Sequence, residues 1–260
     1  MTEKFFRYII LVLFAFIAEL IDGGLGMGYG VSLTSFLLSV GFATAVASAS
    51  VHMSEMFTTL VSGVSHFKLG NFDKKIFKYL IIGGLPGGIL GAYFAVKLQG
   101  FTFIKPIISG ILLILGLMII IKFLRKKQAE DKYLLPRIRK LLPLGFVAAF
   151  VDAIGGGGWG PITTPTLIAT NSHPKKTIGS VNFAEFFITV AISITFLLTL
   201  TNINFGVILP LIVGGIISAP IAAFLTKKLN YRVLGIIVGT LIILLSIRTI
   251  LRSLGIWFFF

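Results

Sequence analysis

The chain has 260 residues, of which 56% are hydrophobic and only 12% are charged, and its mean hydropathy is +1.01. Soluble domains carry roughly 25% charged residues, so this composition excludes a soluble protein. A membrane-spanning helix needs about 20 apolar residues, and with short connections the chain accommodates about eight of them. We therefore predict an all-α polytopic membrane protein without a soluble domain.

The formal net charge of +14 would suggest nucleic-acid binding in a soluble protein. Here the basic residues flank apolar runs, where lipid phosphates and the cytoplasmic preference of Lys and Arg account for them. We therefore predict membrane lipid, and no nucleic acid, as a partner. The absence of cysteine excludes disulfides, thiolate catalysis and iron–sulfur clusters.

The first half begins with an apolar run over about residues 5–21, which Lys4 and Arg7 precede in the manner of a signal peptide. Residues 19–22 do not form a small-residue cleavage site, so we interpret the run as part of the mature protein. A glycine cluster follows, and then a short apolar piece and three longer segments, at about 31–40, 45–65, 79–96 and 104–123.

A basic stretch separates the two halves. Residues 125–140 hold seven Lys and Arg residues and are predicted to form a cytoplasmic linker between an N-terminal membrane repeat, 1–124, and a C-terminal repeat, 141–260. The second half shows the same order of elements as the first. Its apolar run, short apolar piece and three longer segments lie at about 141–153, 161–170, 177–199, 207–226 and 233–252.

The two halves are related in sequence. Shifting the chain by 130 positions aligns residues 22–59 with 152–189 without a gap, and eleven of the 38 aligned positions are identical. About three or four matches are expected by chance from residue frequencies. This duplication predicts two homologous repeats of four hydrophobic segments, the first segment of each being broken by glycines. The identical pairs include Asp22/Asp152, Gly26/Gly156, Gly28/Gly158, Gly30/Gly160, Thr34/Thr164, Ser50/Ser180 and Glu55/Glu185.

The sequence leaves two topologies open. Eight plain spans would make the repeats parallel and would place Lys227, Lys228 and Arg232 outside the cell. If each glycine-broken segment instead enters and returns on one side, the repeats are inverted. These residues then become cytoplasmic together with Lys175 and Lys176, which the preference of basic residues for that side mildly favours.

The glycine clusters at 22–30 and 152–161 cannot be regular helix, because each glycine costs about 1 kcal/mol relative to alanine. Unwound backbone in a bilayer lies buried in protein or lines a cavity, and paired breaks in two repeats point to a transport site. We expect the breaks to meet and to offer backbone N–H groups to an anion; close helix packing is the alternative. The predicted substrate-binding residues are Gly26, Gly28, Gly30, Ser50, Gly156, Gly158, Gly160, Ser180 and Asn182.

Five of the nine acidic residues lie in or beside apolar segments. An acid at bilayer depth costs about 3 kcal/mol on insertion scales and is by default a functional hypothesis, so these side chains are candidate proton carriers. A structural carboxyl, or a cap on a broken helix end, is the alternative. Apart from Glu19, these acids and one histidine are predicted to couple protons or to line the pathway: Asp22, His52, Glu55, Asp152 and Glu185.

A polar stripe accompanies Glu55 on one face of its predicted helix. Its members recur at spacings of four and three, and such a face must avoid lipid and line the bundle interior or water. Two of them are histidines, which are able to relay protons. The stripe consists of Ser48, His52, Glu55, Thr59, Ser62 and His66.

Other chemistry has no support in the sequence. The three histidines form no metal-ligand pattern, and the acids lack the clustering of a Mg²⁺ or Ca²⁺ site. Nucleotide-binding and nucleophile motifs are absent from suitable contexts. We therefore predict no enzyme activity, no cofactor and no metal.

Two similar halves that each open with a helix broken by a Gly-x-Gly-x-Gly type of cluster resemble the TauE/SafE family of sulfite exporters and related permeases. The resemblance covers essentially the whole chain, although the first half has Val31 and Ser35 where the second has Pro161 and Pro165. It implies secondary transport of sulfite or small organosulfur anions, such as sulfoacetate or sulfonates, across the cell membrane. The stretches that carry it are Asp22–Leu38, Gly83–Ala92 and Gly155–Pro165.

From the residues and the resemblance together we expect a secondary transporter of small sulfur-containing anions, coupled to protons, in the cell membrane, which is the inner membrane in a Gram-negative cell. A homodimer is a further candidate assembly. A cation transporter that uses the membrane acids as ligands, and a membrane scaffold without transport activity, are the alternatives.

Overall fold

The structure is a computed structural model that describes residues 2–101, 103–124, 137–169, 172–201, 203–225 and 231–256. These residues form ten α-helices and contain no β-strand, so the prediction of an all-α protein is confirmed. The helices are α1 (Thr2–Leu25), α2 (Tyr29–Ser39), α3 (Thr44–Lys68), α4 (Lys74–Lys97), α5 (Ile104–Leu124), α6 (Ile138–Gly155), α7 (Trp159–Ala169), α8 (Pro174–Thr199), α9 (Phe205–Leu225) and α10 (Tyr231–Ser253).

Each apolar piece expected from the sequence corresponds to one helix, with five helices in each half. Five helices contain a stretch that is long and apolar enough to cross a membrane, so the chain is a polytopic membrane protein. The predicted number of about eight spans stays a prediction. Helix α3 has 25 residues, but its polar stripe lowers its hydropathy and most of its length is buried in the bundle. The five stretches are Tyr8–Leu25, Lys74–Lys97, Ile104–Ile121, Pro174–Thr199 and Phe205–Phe224.

The glycine clusters interrupt the helices for fewer residues than the sequence predicts. Helices α1 and α6 continue into the clusters, so that only residues 26–28 and 156–158 lie between helices. The glycine that follows each helix, Gly26 or Gly156, has a φ of 67°. This left-handed conformation ends a helix, and glycine adopts it without strain. Several glycines in a row are therefore tolerated as long as the helix has packed neighbours.

Helix α4 begins earlier than its apolar segment because of a capping residue. The carboxylate of Asp73 accepts hydrogen bonds from the N–H groups of Lys75 and Ile76, at 2.9 and 3.0 Å. Such a cap satisfies donors that have no partner within the helix. Hydropathy alone does not detect this helix start, because the first turn is basic.

The two halves of the chain are interlocked rather than side by side. Helix α1 packs along α9 and α4 packs along α6, while α3 crosses α8 and α5 crosses α10. Glycines allow these helices to approach closely: Gly87 lies against the main chain of Phe146, and Gly214 lies against Val12. Within the predicted linker, residues 125–136 lie outside the described residues, as do Lys227 and Lys228.

Corresponding helices of the two halves run in opposite directions. Gly63 of α3 lies against Phe183 of α8, whereas His66, later on α3, lies against Gly179, earlier on α8. Helices α5 and α10 cross in the same antiparallel sense. Repeats related by an axis along the membrane normal would instead place corresponding helices parallel.

The chain turns back at each break. Helices α1 and α3 both run parallel to α9. Helix α2 runs the opposite way, because Gly30 lies beside Glu55, whereas Thr34, one turn later, meets Gly156 beside Ser48, earlier on α3. The second half repeats this pattern with α6, α7 and α8. Each break is thus the tip of a hairpin and not a gap within one straight span.

We predict that Gly87→Ala destabilises the protein. A Cβ at this position would overlap the main chain of Phe146, and overpacking of this kind typically costs about 1–3 kcal/mol. Gly110→Ala is the matched control, because a Cβ there meets nothing within 4 Å and alanine is the better helix former by about 1 kcal/mol. Thermal unfolding in detergent should show a lower midpoint for Gly87→Ala alone, and equal midpoints would contradict the packing of α4 on α6.

Candidate functional site

The two helix breaks lie against each other in the interior of the bundle. A Cβ at Gly30 would lie 3.0 Å from the Cα of Gly157, and one at Gly160 would lie 2.7 Å from the Cα of Met27. All residues between the broken helices are buried. The breaks therefore meet as expected, and they do so through direct main-chain contact that side chains larger than hydrogen would prevent.

Two threonines link the breaks reciprocally. The hydroxyl of Thr34 in α2 donates to the carbonyl oxygen of Gly156, and the hydroxyl of Thr164 in α7 donates to that of Gly26 at 2.7 Å. Each half thus supplies one hydroxyl to the break of the other half. Sequence reasoning aligned these threonines but did not assign them to the site. The signal was present, because they are identical at equivalent positions beside the glycines.

Asp22 and Asp152 cap the half-helices that follow the breaks. Oδ1 of Asp22 accepts the N–H of Tyr29 at 3.2 Å, and Oδ1 of Asp152 accepts the N–H of Trp159 at 3.1 Å. Each carboxyl reaches across its break and satisfies a donor that has no partner within the helix. The capping role that the sequence left open is therefore present at both positions, and it uses one oxygen of each carboxyl.

Some of the backbone N–H groups predicted to receive an anion are bonded to the protein. Those of Gly26 and Gly156 donate to the carbonyl oxygens of Asp22 and Asp152, both at 2.6 Å. That of Gly30 donates to the carboxylate of Glu55. The predicted backbone contact with substrate therefore rests on the other three glycines of the set, which are Gly28, Gly158 and Gly160.

His52, Glu55 and Asp152 come together beside the second break. Nε2 of His52 lies 3.0 Å from Oδ2 of Asp152, and one nitrogen or oxygen from each of the three side chains lies within 4.8 Å of the others. Oε2 of Glu55 is buried and has no hydrogen-bond partner. The sequence could not reveal this proximity, because it joins α3 of the first half to α6 of the second. The prediction that the chain has no metal site stays a prediction.

The interior of the bundle carries an excess of acidic groups. Five carboxyl side chains are at least 96% buried, and the buried residues that the structure describes include two histidines but no Lys or Arg. Glu19 interacts with the hydroxyl of Thr58, which does not compensate the charge of the carboxylate. Such a cluster is stable only when protons or other cations compensate its charge. The five are Glu19, Asp22, Glu55, Asp152 and Glu185.

The remaining predicted substrate residues make their hydrogen bonds away from the breaks. The hydroxyl of Ser50 donates within its own helix, and that of Ser180 bonds to the main chain of Asp73, before α4. The amide of Asn182 donates to Ser62 at 3.0 Å, while its oxygen has no partner. Their assignment to a substrate stays a prediction.

A polytopic helical bundle in which two broken helices meet among buried acids is typical of secondary membrane transporters. The family model described as "Sulfite exporter TauE/SafE" matches residues 11–249. The chain therefore belongs to the TauE/SafE family, as the resemblance in its glycine clusters predicts.

Three relatives from Bacillus subtilis are described as probable membrane transporter proteins. YtnM is 47% identical over 251 residues, which cover 94% of this chain and 83% of that protein. YjnA is 23% identical over 93% of this chain and 98% of that protein, and YunE is 22% identical over 95% and 98%. No solved structure is significantly similar.

We predict that Gly157→Ala disrupts the contact between the breaks. A Cβ at Gly157 would overlap the main chain of Gly30 and Val31, whereas one at Gly155, two residues earlier, meets nothing within 4 Å. Because main-chain atoms cannot move aside, we expect Gly157→Ala to lower the free energy of unfolding by about 1–3 kcal/mol. Thermal unfolding in detergent, with Gly155→Ala as the matched control, measures the difference; a loss of equal size in both variants would count against the contact.

Proposed function

We propose that this chain is a secondary transporter that moves sulfite or a small organosulfur anion across the cell membrane together with protons. The observation that carries the proposal is the contact between two capped helix breaks in a buried, acid-rich interior. Broken helices at matching places in two repeats form the substrate sites of many secondary transporters. The family description supports sulfite as the first substrate to test.

The halves 1–124 and 141–260 act in this proposal as inverted repeats joined by a cytoplasmic linker. The antiparallel crossing of α3 with α8 and of α5 with α10 supports inversion, as does the hairpin formed by each break. Inverted repeats exchange their conformations when the site opens to one side and then to the other. In this proposal the two breaks act as gates on opposite sides of one site.

Protons accompany the anion because of the charge of the site. An anion that enters beside five ionised carboxylates would be repelled at short range in a medium of low dielectric constant. Protonation of the acids removes this repulsion, so the anion and the protons bind together and leave together. Transport is then a symport, in whichever direction the gradients drive it.

The anion binds between the two half-helices in a conformation in which the breaks have moved apart, because in this structure they touch main chain to main chain. The main chain at Gly28, Gly158 and Gly160 lies at the start of α2 and α7, where helix dipoles favour negative charge. The proposed substrate-binding residues also include Ser50, Ser180 and Asn182. These three side chains contact the anion only after the halves have rearranged. The acids Asp22, Glu55, Asp152 and Glu185, together with His52, carry the protons.

The acid-rich interior also favours a second candidate, a cation carrier in which the carboxylates bind the ion directly. The two candidates differ in what they accumulate. Isotope uptake into proteoliposomes separates them: sulfite uptake that depends on a pH gradient supports the anion transporter. Uptake of a monovalent or divalent cation without sulfite supports the cation carrier.

We predict that Glu55→Gln and Glu185→Gln abolish accumulation of sulfite driven by a pH gradient. Glutamine keeps the size of the side chain but cannot bind and release the proton. The expected loss is about tenfold or more, the size of a typical coupling between two binding events. The measurement is uptake of ³⁵S-labelled sulfite into proteoliposomes with the interior and exterior buffered at different pH.

Asp73→Asn is the control for the same chemical change at a carboxyl outside the cluster. Asparagine is as good a helix cap as aspartate, so the start of α4 is preserved and uptake should match that of the unaltered protein. Full uptake in both glutamine variants would remove these two acids from the mechanism.

A further inference from the structure

The hydrogen bonds around His52 fix where one of its ring protons must be. Nδ1 lies 2.8 Å from the carbonyl oxygen of Ser48 and 3.3 Å from its hydroxyl oxygen. The hydroxyl of Ser48 donates its own proton to the carbonyl oxygen of Ala153 at 2.6 Å. Both neighbours of Nδ1 are therefore acceptors, and Nδ1 carries a hydrogen.

The other side of the ring requires a second proton. A neutral imidazole with its hydrogen on Nδ1 has a lone pair on Nε2, and an ionised carboxylate also offers only lone pairs. Nε2 of His52 nevertheless lies 3.0 Å from Oδ2 of Asp152, which is a hydrogen-bond distance. One further proton must lie between them, either on an imidazolium or on a protonated carboxyl.

The repeat does not generate a second pair of this kind. Asp22 caps α2 as Asp152 caps α7, but the position equivalent to His52 is Asn182. Its amide group donates to Ser62, and an amide does not titrate. The two halves therefore share the capping aspartate but differ in the group able to hold a proton against it.

We propose that the His52–Asp152 pair, which joins the two halves, is the binding site for one coupled proton, and that the equivalent positions, Asn182 and Asp22, form no such site. The inference rests on the proposed proton coupling and assigns it to a particular pair of residues. It predicts that His52 and Asp152 bind and release this proton, whereas Asn182, at the position equivalent to His52, does not.

The pair is placed to transmit the loss of its proton to the breaks. Asp152 uses Oδ2 to face His52 and Oδ1 to accept the N–H of Trp159. When the shared proton leaves, the two lone pairs repel each other, and a rotation of the Asp152 carboxyl that relieved this repulsion would also disturb the cap that Oδ1 forms on α7. The start of α7 lies against the first break, so protonation and the geometry of the breaks change together.

The surroundings of the pair contain further proton acceptors but no permanent positive charge among the described buried residues. Phe196 of α8 packs near the imidazole, with ring centroids 6.2 Å apart. Glu55, one turn along α3, has a carboxylate oxygen without a partner and is the nearest next acceptor. The other acids that interact electrostatically with this cluster are Glu19 and Asp22 on α1 and Glu185 on α8.

Spectroscopy of the unaltered protein tests the shared proton directly. The chain has only three histidines, so ¹⁵N-histidine labelling in nanodiscs, with assignment from His52→Asn, resolves the ring of His52. Infrared difference spectra against Asp152→Asn report whether that carboxyl is protonated. From the hydrogen-bond geometry we expect Nδ1 of His52 to be protonated, together with either Nε2 or the carboxyl of Asp152.

A neutral ring beside an ionised Asp152 would overturn the proposal, whichever nitrogen carried the hydrogen. A stoichiometric divalent metal in the purified protein, detected by mass spectrometry, would also overturn it. These measurements need no transport. If the protein moved no sulfite, the proposed function would fail while the shared proton could still be observed.

The transport test compares two identical substitutions at different histidines. His52→Asn should leave sulfite exchange without a gradient in place but reduce accumulation driven by a pH gradient about tenfold or more. His173→Asn is the control, because His173 is the N-cap of α8 and asparagine caps well; it should accumulate sulfite normally. Undiminished pH-driven accumulation in His52→Asn would exclude the pair as the coupling site.

Discussion

Gly30 and Gly157 touch main chain to main chain, and the position of each polar group around them follows from that contact. Two hairpin tips can approach so closely only if glycine occupies the positions of contact, and each tip then has carbonyl groups that need partners within the protein. Thr34 and Thr164 provide those partners across the contact. The capping aspartates hold the two following helices in place. The same set of interactions therefore occurs twice at the centre of the bundle, once in each half.

The buried acids at this centre restrict the charge of any ligand that binds there. Buried carboxyl groups without basic partners are unstable as a set of anions, so a negatively charged ligand beside them would favour their protonated form. His52 breaks the near equivalence of the two halves, because the matching residue is Asn182. A bundle that is nearly symmetric in its main chain is thereby asymmetric in its proton chemistry.

The sequence predicted the ten apolar pieces, the breaks and the buried acids, because hydropathy, glycine content and internal duplication are local or periodic signals. It did not predict the extent of the breaks, since tertiary contacts allow α1 to continue through Gly23 and Gly24. It also missed the meeting of His52 with Asp152, which lie 100 positions apart. Contacts between halves depend on how helices cross, and a single sequence carries no direct record of crossing. For the same reason, the sequence left open whether the two repeats are parallel or inverted.

The interlocking of the halves has a consequence for biosynthesis. The face of α1 around Val12 packs on Gly214 of α9, about 200 residues later in the chain, and at a synthesis rate of 5–20 residues per second that partner appears roughly 10–40 s afterwards. During this interval α1 and its acidic residues lie in the bilayer without their final neighbours. The interior of the N-terminal half is therefore incomplete until α9 has been translated.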